Sequence, residues 1–379
     1  MPALIDRSNY QWLCTGKDTF SAMFAAIAEA KENIQLEMYI FAPGPLGERF
    51  RDALTAAAAR GVRVQVLVDA LGSLSLPSTF WQPLISAGGD ARQFNPFKFN
   101  RLSIRNHRKL LVCDDRVAFL GGFNIAPEYD GDGVASGWCD VGLRVEGPVV
   151  LELRASFDDM FHRAALQHRR FLRVRKTTAN KVVSAPQWQL LLSGPGRISN
   201  PFTKALRMDL RNARDVQIIV AYFLPGRRLR RALAQVARSG GRVQLLLPGK
   251  SDIALSRLAA QSLYRRLLKA GVEIYEYQPQ ILHAKLFIID GIVMAGSSNL
   301  DPRSVSLNYE LMLRLESSSV AAAAREIFAR KLELSKRITG EEWRRSRSWW
   351  RKLTHRWAYF VLAQVDPYIA RRQWRGLPD

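Results

Sequence analysis

His107-Arg108-Lys109-Leu110-Leu111-Val112-Cys113-Asp114 returns, in pattern, as His283-Ala284-Lys285-Leu286-Phe287-Ile288-Ile289-Asp290. Both stretches fit H-x-K-x4-D, and they take up two of the chain's five histidines. The apolar runs LLVC and LFII read as buried strands. Residues two apart on a strand share a face, so His107 projects with Lys109, and His283 with Lys285. The first motif strand is expected over about 107–113.

The likeness extends outward from the motifs. Residues 34–44 read IQLEMYIFAPG and residues 216–226 read VQIIVAYFLPG. Each is followed by a helical stretch and a second strand, FRDALTAAAARG then VRVQVLVD in one half, LRRALAQVARSG then GRVQLLLP in the other. Downstream of the motifs stand Gly121-Gly122-Phe123-Asn124 and Gly296-Ser297-Ser298-Asn299. The offset between halves drifts from 182 residues (Ile34 to Val216) to 175 (Asn124 to Asn299). Such a drift fits a duplication with small loop changes.

In the first half, Asp18 or Thr19 is expected to cap a helix whose apolar face is Phe20, Met23, Phe24 and Ile27. Strands are expected over 34–41 and 62–68, with a helix over 48–60 that stops at Gly61. Strands alternating with helices imply an α/β fold. The expected division is a first domain over 1–168, a basic linker over 169–190, a second domain over 191–335 and a tail over 336–379.

The whole chain has 379 residues, 47% hydrophobic and 24% charged, with a formal net charge of +22. This length and composition suit two globular domains and exclude a mainly disordered chain. Three scattered cysteines, Cys14, Cys113 and Cys139, exclude a disulfide scaffold and read as reduced thiols. No run approaches the ~18 apolar residues of a membrane-spanning helix. MPALIDRSNYQW has no signal-peptide pattern. The positive charge calls for an anionic partner, either nucleic acid or anionic lipid.

If the halves pack about a pseudo-two-fold axis, two histidines and two lysines converge on one cleft. A neutral histidine there can attack phosphorus. A protonated one can donate to the leaving oxygen. Lys109, Lys285 and the amides of Asn124 and Asn299 can hold non-bridging oxygens. No metal-ligand spacing stands out, and no cofactor is expected. One irregularity is visible: six residues separate Asp114 from Gly121 but five separate Asp290 from Gly296, so the second turn is tighter.

With these motifs the sequence resembles the phospholipase D superfamily, named for its duplicated HKD motif. Within it the chain is most similar to the bacterial cardiolipin synthases, the B type in particular. The strings that carry this are Gly121-Gly122-Phe123-Asn124, Trp138-Cys139-Asp140, Glu146-Gly147-Pro148-Val149, Ala221-Tyr222-Phe223-Leu224-Pro225, Pro248-Gly249-Lys250-Ser251-Asp252, and Gly296 to Ser304 running into Leu307-Asn308-Tyr309-Glu310. The resemblance implies two tandem phospholipase D-like domains, each a mixed sheet flanked by helices, packed as a pseudo-two-fold pair. It implies metal-independent phosphatidyl transfer through a phosphohistidine. It makes the first-motif histidine the nucleophile and the second the acid; the residues alone leave that order open. It also implies that an acidic residue orients each histidine, Asp140 for His107 and Glu310 for His283, with Asp114 and Asp290 organising the site. The expected substrates are phospholipids, phosphatidylglycerol or phosphatidylethanolamine as donor. A hydrolytic phospholipase D and a nuclease are the alternatives. The RSxxLNxE string from Arg303 to Glu310 makes nucleic acid the lesser one, and no obligate protein partner is evident.

Residues 343–357, WRRSRSWWRKLTHRW, hold four of nine tryptophans and no acid. Trp343, Trp350, Leu353, Trp357 and Phe360 or Val361 fall on one helical face. A basic, Trp-rich amphipathic helix suits an anionic phospholipid surface, and peripheral attachment to the cytoplasmic face of the inner membrane is expected. The same aromatics can instead pack on the core. Phe94-Asn95-Pro96-Phe97-Lys98-Phe99 is a second candidate for acyl-chain contact, or else loop packing. Arg105, two residues before His107, is a candidate phosphate contact.

Overall fold

A computed structural model describes residues 9–96, 104–166, 180–195, 200–345 and 349–365. The strands of the first half are β1 (Asn9–Leu13), β2 (Asn33–Met38), β3 (Arg63–Asp69), β4 (Asp90–Phe94), β5 (Leu110–Cys113), β6 (Val117–Gly121) and β7 (Gly142–Glu146). They form one mixed sheet in the order β1-β7-β6-β5-β2-β3-β4. The second half supplies β8 (Lys181–Ser184), β9 (Trp188–Ser193), β10 (Asp215–Val220), β11 (Arg242–Pro248), β12 (Glu273–Tyr277), β13 (Lys285–Ile289), β14 (Ile292–Gly296), β15 (Glu310–Glu316) and β16 (Ser335–Ile338). Their order is β16-β12-β11-β10-β13-β14-β15-β9-β8. The shared motif β6-β5-β2-β3 and β14-β13-β10-β11 is the duplication in three dimensions. In each, the parallel pair comes from a strand-helix-strand crossover.

The helices are α1 (Gly16–Glu29), α2 (Pro45–Ala59), α3 (Gln82–Ser86), α4 (Val149–Leu166), α5 (Pro201–Asp209), α6 (Arg227–Arg238), α7 (Ala254–Lys269), α8 (Pro302–Ser306), α9 (Ser318–Glu333), α10 (Gly340–Arg345) and α11 (Trp349–Phe360). The cap of α1 is Thr15, ahead of the expected Asp18 or Thr19 by three or four residues. Its Oγ1 accepts the N–H of Asp18 at 3.0 Å. Phe20, Met23 and Ile27 are buried, and Phe24 sits at the edge of their cluster.

Three apolar clusters hold the layers together. One backs the first sheet with α1 and α2, one backs the second with α6 and α7, and a central one contains residues of both sheets together with Leu153, Phe157 and Phe161 of α4 and Ala324, Ile327 and Phe328 of α9. An apolar core shared by both sheets fixes the two halves against each other.

Two boundaries move. Residues 181–190, expected in the linker, carry β8 and the start of β9 in the second sheet, and β9 pairs with β15 from Glu310 to Leu315. The sheet also gains β16, which lies beyond the expected end at 335 and pairs with β12. Residues 169–179 of the expected linker, Phe97, Lys98 and Phe99, and 366–379 of the tail lie outside the described residues. Phe94 is buried against Tyr309, ring centroids 5.4 Å apart, which is loop packing.

The tail divides its aromatics. Trp343 turns inward, against Tyr264 of α7 (4.9 Å) and stacked on His355 of α11 (5.9 Å). Ala358 is buried in the same layer. Trp349, Trp350, Leu353, Trp357 and Phe360 are each more than half exposed. Trp343 therefore leaves the expected lipid face and Trp349 joins it. Among the described residues no helix is long and apolar enough to cross a membrane.

Candidate active site

The motif strands are shorter than expected. β5 begins at Leu110 and β13 at Lys285, so both histidines sit on extended chain just ahead of their strands. That chain is held across the domain boundary. Asn106 bridges to Tyr309, with His107 N–H on the Tyr309 carbonyl at 3.0 Å and Tyr309 N–H on the Arg105 carbonyl at 2.9 Å. Leu282 bridges to Cys139, with His283 N–H on the Cys139 carbonyl at 2.8 Å and Cys139 N–H on the Ile281 carbonyl at 2.8 Å. The two contacts repeat each other with the domains exchanged, which is the pseudo-two-fold relation.

This exchange reverses the expected carboxylate pairing. His107 Nδ1 lies 3.1 Å from Glu310 Oε2, and His283 Nδ1 lies 2.7 Å from Asp140 Oδ2. The residue before each acid bridges to the other domain, Cys139 to Leu282 and Tyr309 to Asn106. Each histidine is thus oriented by its partner domain and not by its own. Nδ1–H bound to a carboxylate leaves Nε2 with the lone pair.

Both pairs are buried. Burial pushes the His107 imidazole down despite Glu310. Burial and Lys285 push His283 down to about 4. For the acids burial acts upward, but His283 and Lys285 outweigh it at Asp140, and His107 and Lys109 do so at Glu310, so both stay ionised. Burial, with Lys285 nearby, brings Lys109 down to about 7; burial brings Lys285 down to about 8. An arriving phosphodiester anion reverses that cost and returns the lysines to the charged state.

Lys109 Nζ donates to the His107 carbonyl at 2.7 Å and lies 5.0 Å from the centre of the Tyr39 ring. Lys285 Nζ donates to the His283 carbonyl and stands 2.8 and 3.1 Å from the two ring nitrogens of His283. Asn124 Oδ1 accepts the Ile40 N–H at 3.0 Å, and Asn299 Oδ1 accepts the Tyr222 N–H at 3.3 Å. The shorter second turn therefore leaves Asn299 in the place equivalent to Asn124. The missing residue is absorbed at the far end of the hairpin, where Ile289 pairs with Ile292 while Cys113 pairs with Val117.

Asp114 and Asp290 do not join the histidines. Each sits past the opposite end of its motif strand at positive φ, 53° and 50°. Asp114 accepts the N–H groups of Lys31, Glu32 and Asn33 at 2.7 to 3.0 Å. Asp290 accepts those of Arg214 and Asp215, the latter at 2.8 Å. A carboxylate taking several backbone N–H groups ties the motif hairpin to the start of the neighbouring strand. The HKD aspartates are structural clamps in this fold.

The sequence reading missed the groups behind the carboxylates and around His283. Ser297 Oγ donates to Glu310. Its counterpart Gly122 has no room for a side chain, because a Cβ there would stand 2.0 Å from Asp140 Oδ1. Tyr129 and Trp138 of the first domain lie 5.4 and 5.5 Å from the His283 ring. Tyr129 Oη accepts the Asn124 amide at 2.7 Å. The Trp138-Cys139-Asp140 string was a visible signal for Trp138, and Gly296-Ser297-Ser298-Asn299 was one for Ser297; Tyr129 had none.

Two mixed α/β domains that share one buried cleft, with an H-x-K pair from each, define a tandem phospholipase D-like fold. The family model described as "Cardiolipin synthase, PLD-like domain" matches residues 23–134 and 206–332, and the chain belongs to that family. Cardiolipin synthase 1 of Bacillus anthracis is 34% identical over 320 residues, 81% of this chain and 63% of the relative. Cardiolipin synthase B of Escherichia coli K12 is 35% identical over 308 residues, 79% of this chain and 74% of the relative. This chain therefore spans less than two thirds of the Bacillus protein. The phosphatidylserine synthase of Haemophilus influenzae has the same fold, with a TM-score of 0.73 at 15% identity over 95% of this chain and 94% of that one.

Proposed function

We propose that the chain is a cardiolipin synthase. It moves a phosphatidyl group from phosphatidylglycerol, or from phosphatidylethanolamine, to a second phosphatidylglycerol. The observation that carries this is the crosswise pairing, which gives one cleft two Nε2 atoms with orienting carboxylates and two buried lysines.

In the first step Nε2 of one histidine forms a bond to phosphorus, and the bond from phosphorus to the headgroup oxygen breaks. The other histidine, protonated, gives its proton to the departing alcohol. In the second step a hydroxyl of the incoming lipid forms the new P–O bond, the N–P bond breaks, and the proton returns to the waiting histidine. Lys109, Lys285 and the Asn299 amide hold the non-bridging oxygens. Asn124 serves mainly to anchor, since both ends of its amide are bonded.

The enzyme works as a peripheral protein on anionic membrane, at the cytoplasmic face of the inner membrane. The exposed face of α11 supports this, with three tryptophans beside basic residues. The test is purified protein with phosphatidylglycerol vesicles, read by lipid mass spectrometry beside His107→Ala. Cardiolipin only with intact His107 is the expected result. Phosphatidic acid without cardiolipin would make the protein a hydrolase.

A further inference from the structure

Helix α6 reads RRLRRALAQVAR, five arginines and no acid. It buries Leu229, Leu233 and Val236. Arg227, Arg231 and Arg238, at i, i+4 and i+11, form a stripe on the opposite side; all three are exposed, and so is Arg228. Among the described residues no carboxylate pairs with any of these four. The helix itself gains nothing from the arrangement. Arg227 and Arg228 stand in its first turn, where the helix dipole disfavours cations, and Arg227 repels Arg231 one turn on. Gly226, the N-cap, adds no side-chain bond to offset this.

The stripe runs up to α11. Arg230, on the flank of α6, donates from Nη2 to Tyr359 Oη at 3.2 Å, and its guanidinium lies 5.6 Å from the centre of that ring. Both helices bury their other sides in one cluster, Leu229, Leu233 and Val236 from α6 and Ala358 from α11. The arginine stripe and the exposed Trp349, Trp350, Leu353, Trp357 and Phe360 therefore both turn away from the same core. The stripe also begins near the catalytic cleft. Tyr222, whose ring lies 6.5 Å from that of His283, is five residues before Arg227, roughly 17 Å of extended chain at most. Cations without internal partners beside exposed indoles match a bilayer of anionic phospholipid: the guanidiniums suit phosphate, and the indoles suit the headgroup boundary.

We propose that Arg227, Arg231 and Arg238 of α6 form the headgroup-binding half of one membrane-docking surface, joined through Arg230 and Tyr359 to the aromatic face of α11, and that its occupant is an anionic phospholipid bilayer. This rests on the peripheral-membrane reading and adds to it. The aromatic face by itself would hold a bilayer of any charge; the stripe selects an anionic one.

The test is co-sedimentation of the full chain with phosphatidylglycerol vesicles at several salt concentrations, beside thermal unfolding. Arg227→Gln with Arg231→Gln is expected to weaken binding about tenfold or more and to make its salt dependence shallower. Tm should hold or rise, because the change removes a first-turn cation and a like-charge pair. Unchanged binding would overturn the stripe. A loss of binding accompanied by a fall in Tm would also overturn it, because the arginines would then serve the fold. Weaker binding in Trp350→Ala with Trp357→Ala, but not in the arginine pair, would leave the membrane reading standing and overturn the stripe alone. No vesicle binding by the unaltered chain would overturn both. Tighter binding of a single-stranded oligonucleotide than of vesicles, lost in the arginine pair, would give the stripe to nucleic acid and overturn its lipid role. Arginine-dependent vesicle binding by a chain that makes no cardiolipin would uphold the docking surface and overturn the synthase reading instead.

Discussion

His107 and Glu310 are 203 residues apart in the chain and 3.1 Å apart in space, Nδ1 to Oε2, across the boundary between two domains. His283 and Asp140 repeat the relation in reverse at 2.7 Å. Neither domain holds a complete catalytic group by itself. Glu310→Gln and Asp140→Asn keep the shape but lose the charge that fixes the tautomer and stabilises imidazolium. Each is expected to lower kcat about 10²–10⁴-fold with little change in KM. Steady-state kinetics on phosphatidylglycerol vesicles measure this, and a loss under threefold would contradict the orienting role.

Gly122→Ala reaches the same pair from behind. The added Cβ falls 2.0 Å from one Asp140 oxygen and 2.5 Å from the other. The carboxylate must turn away from His283, and a displacement of that size is expected to cost about 10²-fold in kcat. Ser297→Ala, at the equivalent place, opens space and removes one hydrogen bond to Glu310, so its loss should be smaller. The two variants compared in one assay test whether the site is set by steric support on one side and by a hydroxyl on the other.

The two histidines set the limbs of the rate profile. One must be neutral and the other protonated, and both are held below the ordinary histidine value, so kcat/KM should begin to fall on the alkaline side already under pH 6.5. Lys109 at about 7 and Lys285 at about 8 lose their charge above that, which adds a second loss. Lys109→Arg, which does not titrate, should remove part of that second loss. Stability has the opposite slope. Between about pH 7 and 10 the unfolded lysines keep protons that the folded ones have released, so these two groups make stability rise with pH. A pH–rate profile and urea unfolding at pH 7 and 9 check both signs.

Asp114→Ala and Asp290→Ala should act on the fold. Each removes an acceptor for two or three backbone N–H groups. Each also leaves a non-glycine, non-Asx residue at positive φ. A loss of about 1–3 kcal/mol is expected in chemical denaturation, with kcat of the remaining folded protein nearly intact. Asp→Asn, which tolerates the same φ, should lose less. A kcat loss as large as that of His107→Ala would return these aspartates to the chemistry.

The two aromatic sets of the tail should separate cleanly. Trp350→Ala with Trp357→Ala is expected to weaken vesicle binding about tenfold or more without lowering Tm, since both rings are exposed. Trp343→Ala, whose ring lies between Tyr264 and His355, should lower Tm instead. Co-sedimentation with phosphatidylglycerol vesicles and thermal unfolding give the two readouts. Binding should also weaken in salt.

The duplication, the α/β class and the paired H-x-K were legible in the residue order, while both downstream acids came from the family resemblance. The first three depend on local rules: strand periodicity, a spacing of two that puts His and Lys on one face, and turns that end strands. Local rules have no access to which domain completes which site. Asp140 follows His107 at the same kind of spacing as Glu310 follows His283, so order in the chain pairs them within domains; the Cys139–Leu282 and Asn106–Tyr309 bridges pair them across. The aspartates of the motif name were misplaced for a related reason. A strand of four or five residues separates its two ends, and only the neighbouring strand, Asn33 or Asp215, shows that the far end meets backbone N–H groups. The tail pattern gave an amphipathic helix, but which of its tryptophans face outward depended on where α7 offered Tyr264. The sequence by itself determined the chemistry available, because side-chain identity and short-range geometry carry it. The tertiary structure alone decided the partners, because they are set by packing two equivalent domains face to face, and equivalence in sequence cannot distinguish one domain's contacts from the other's.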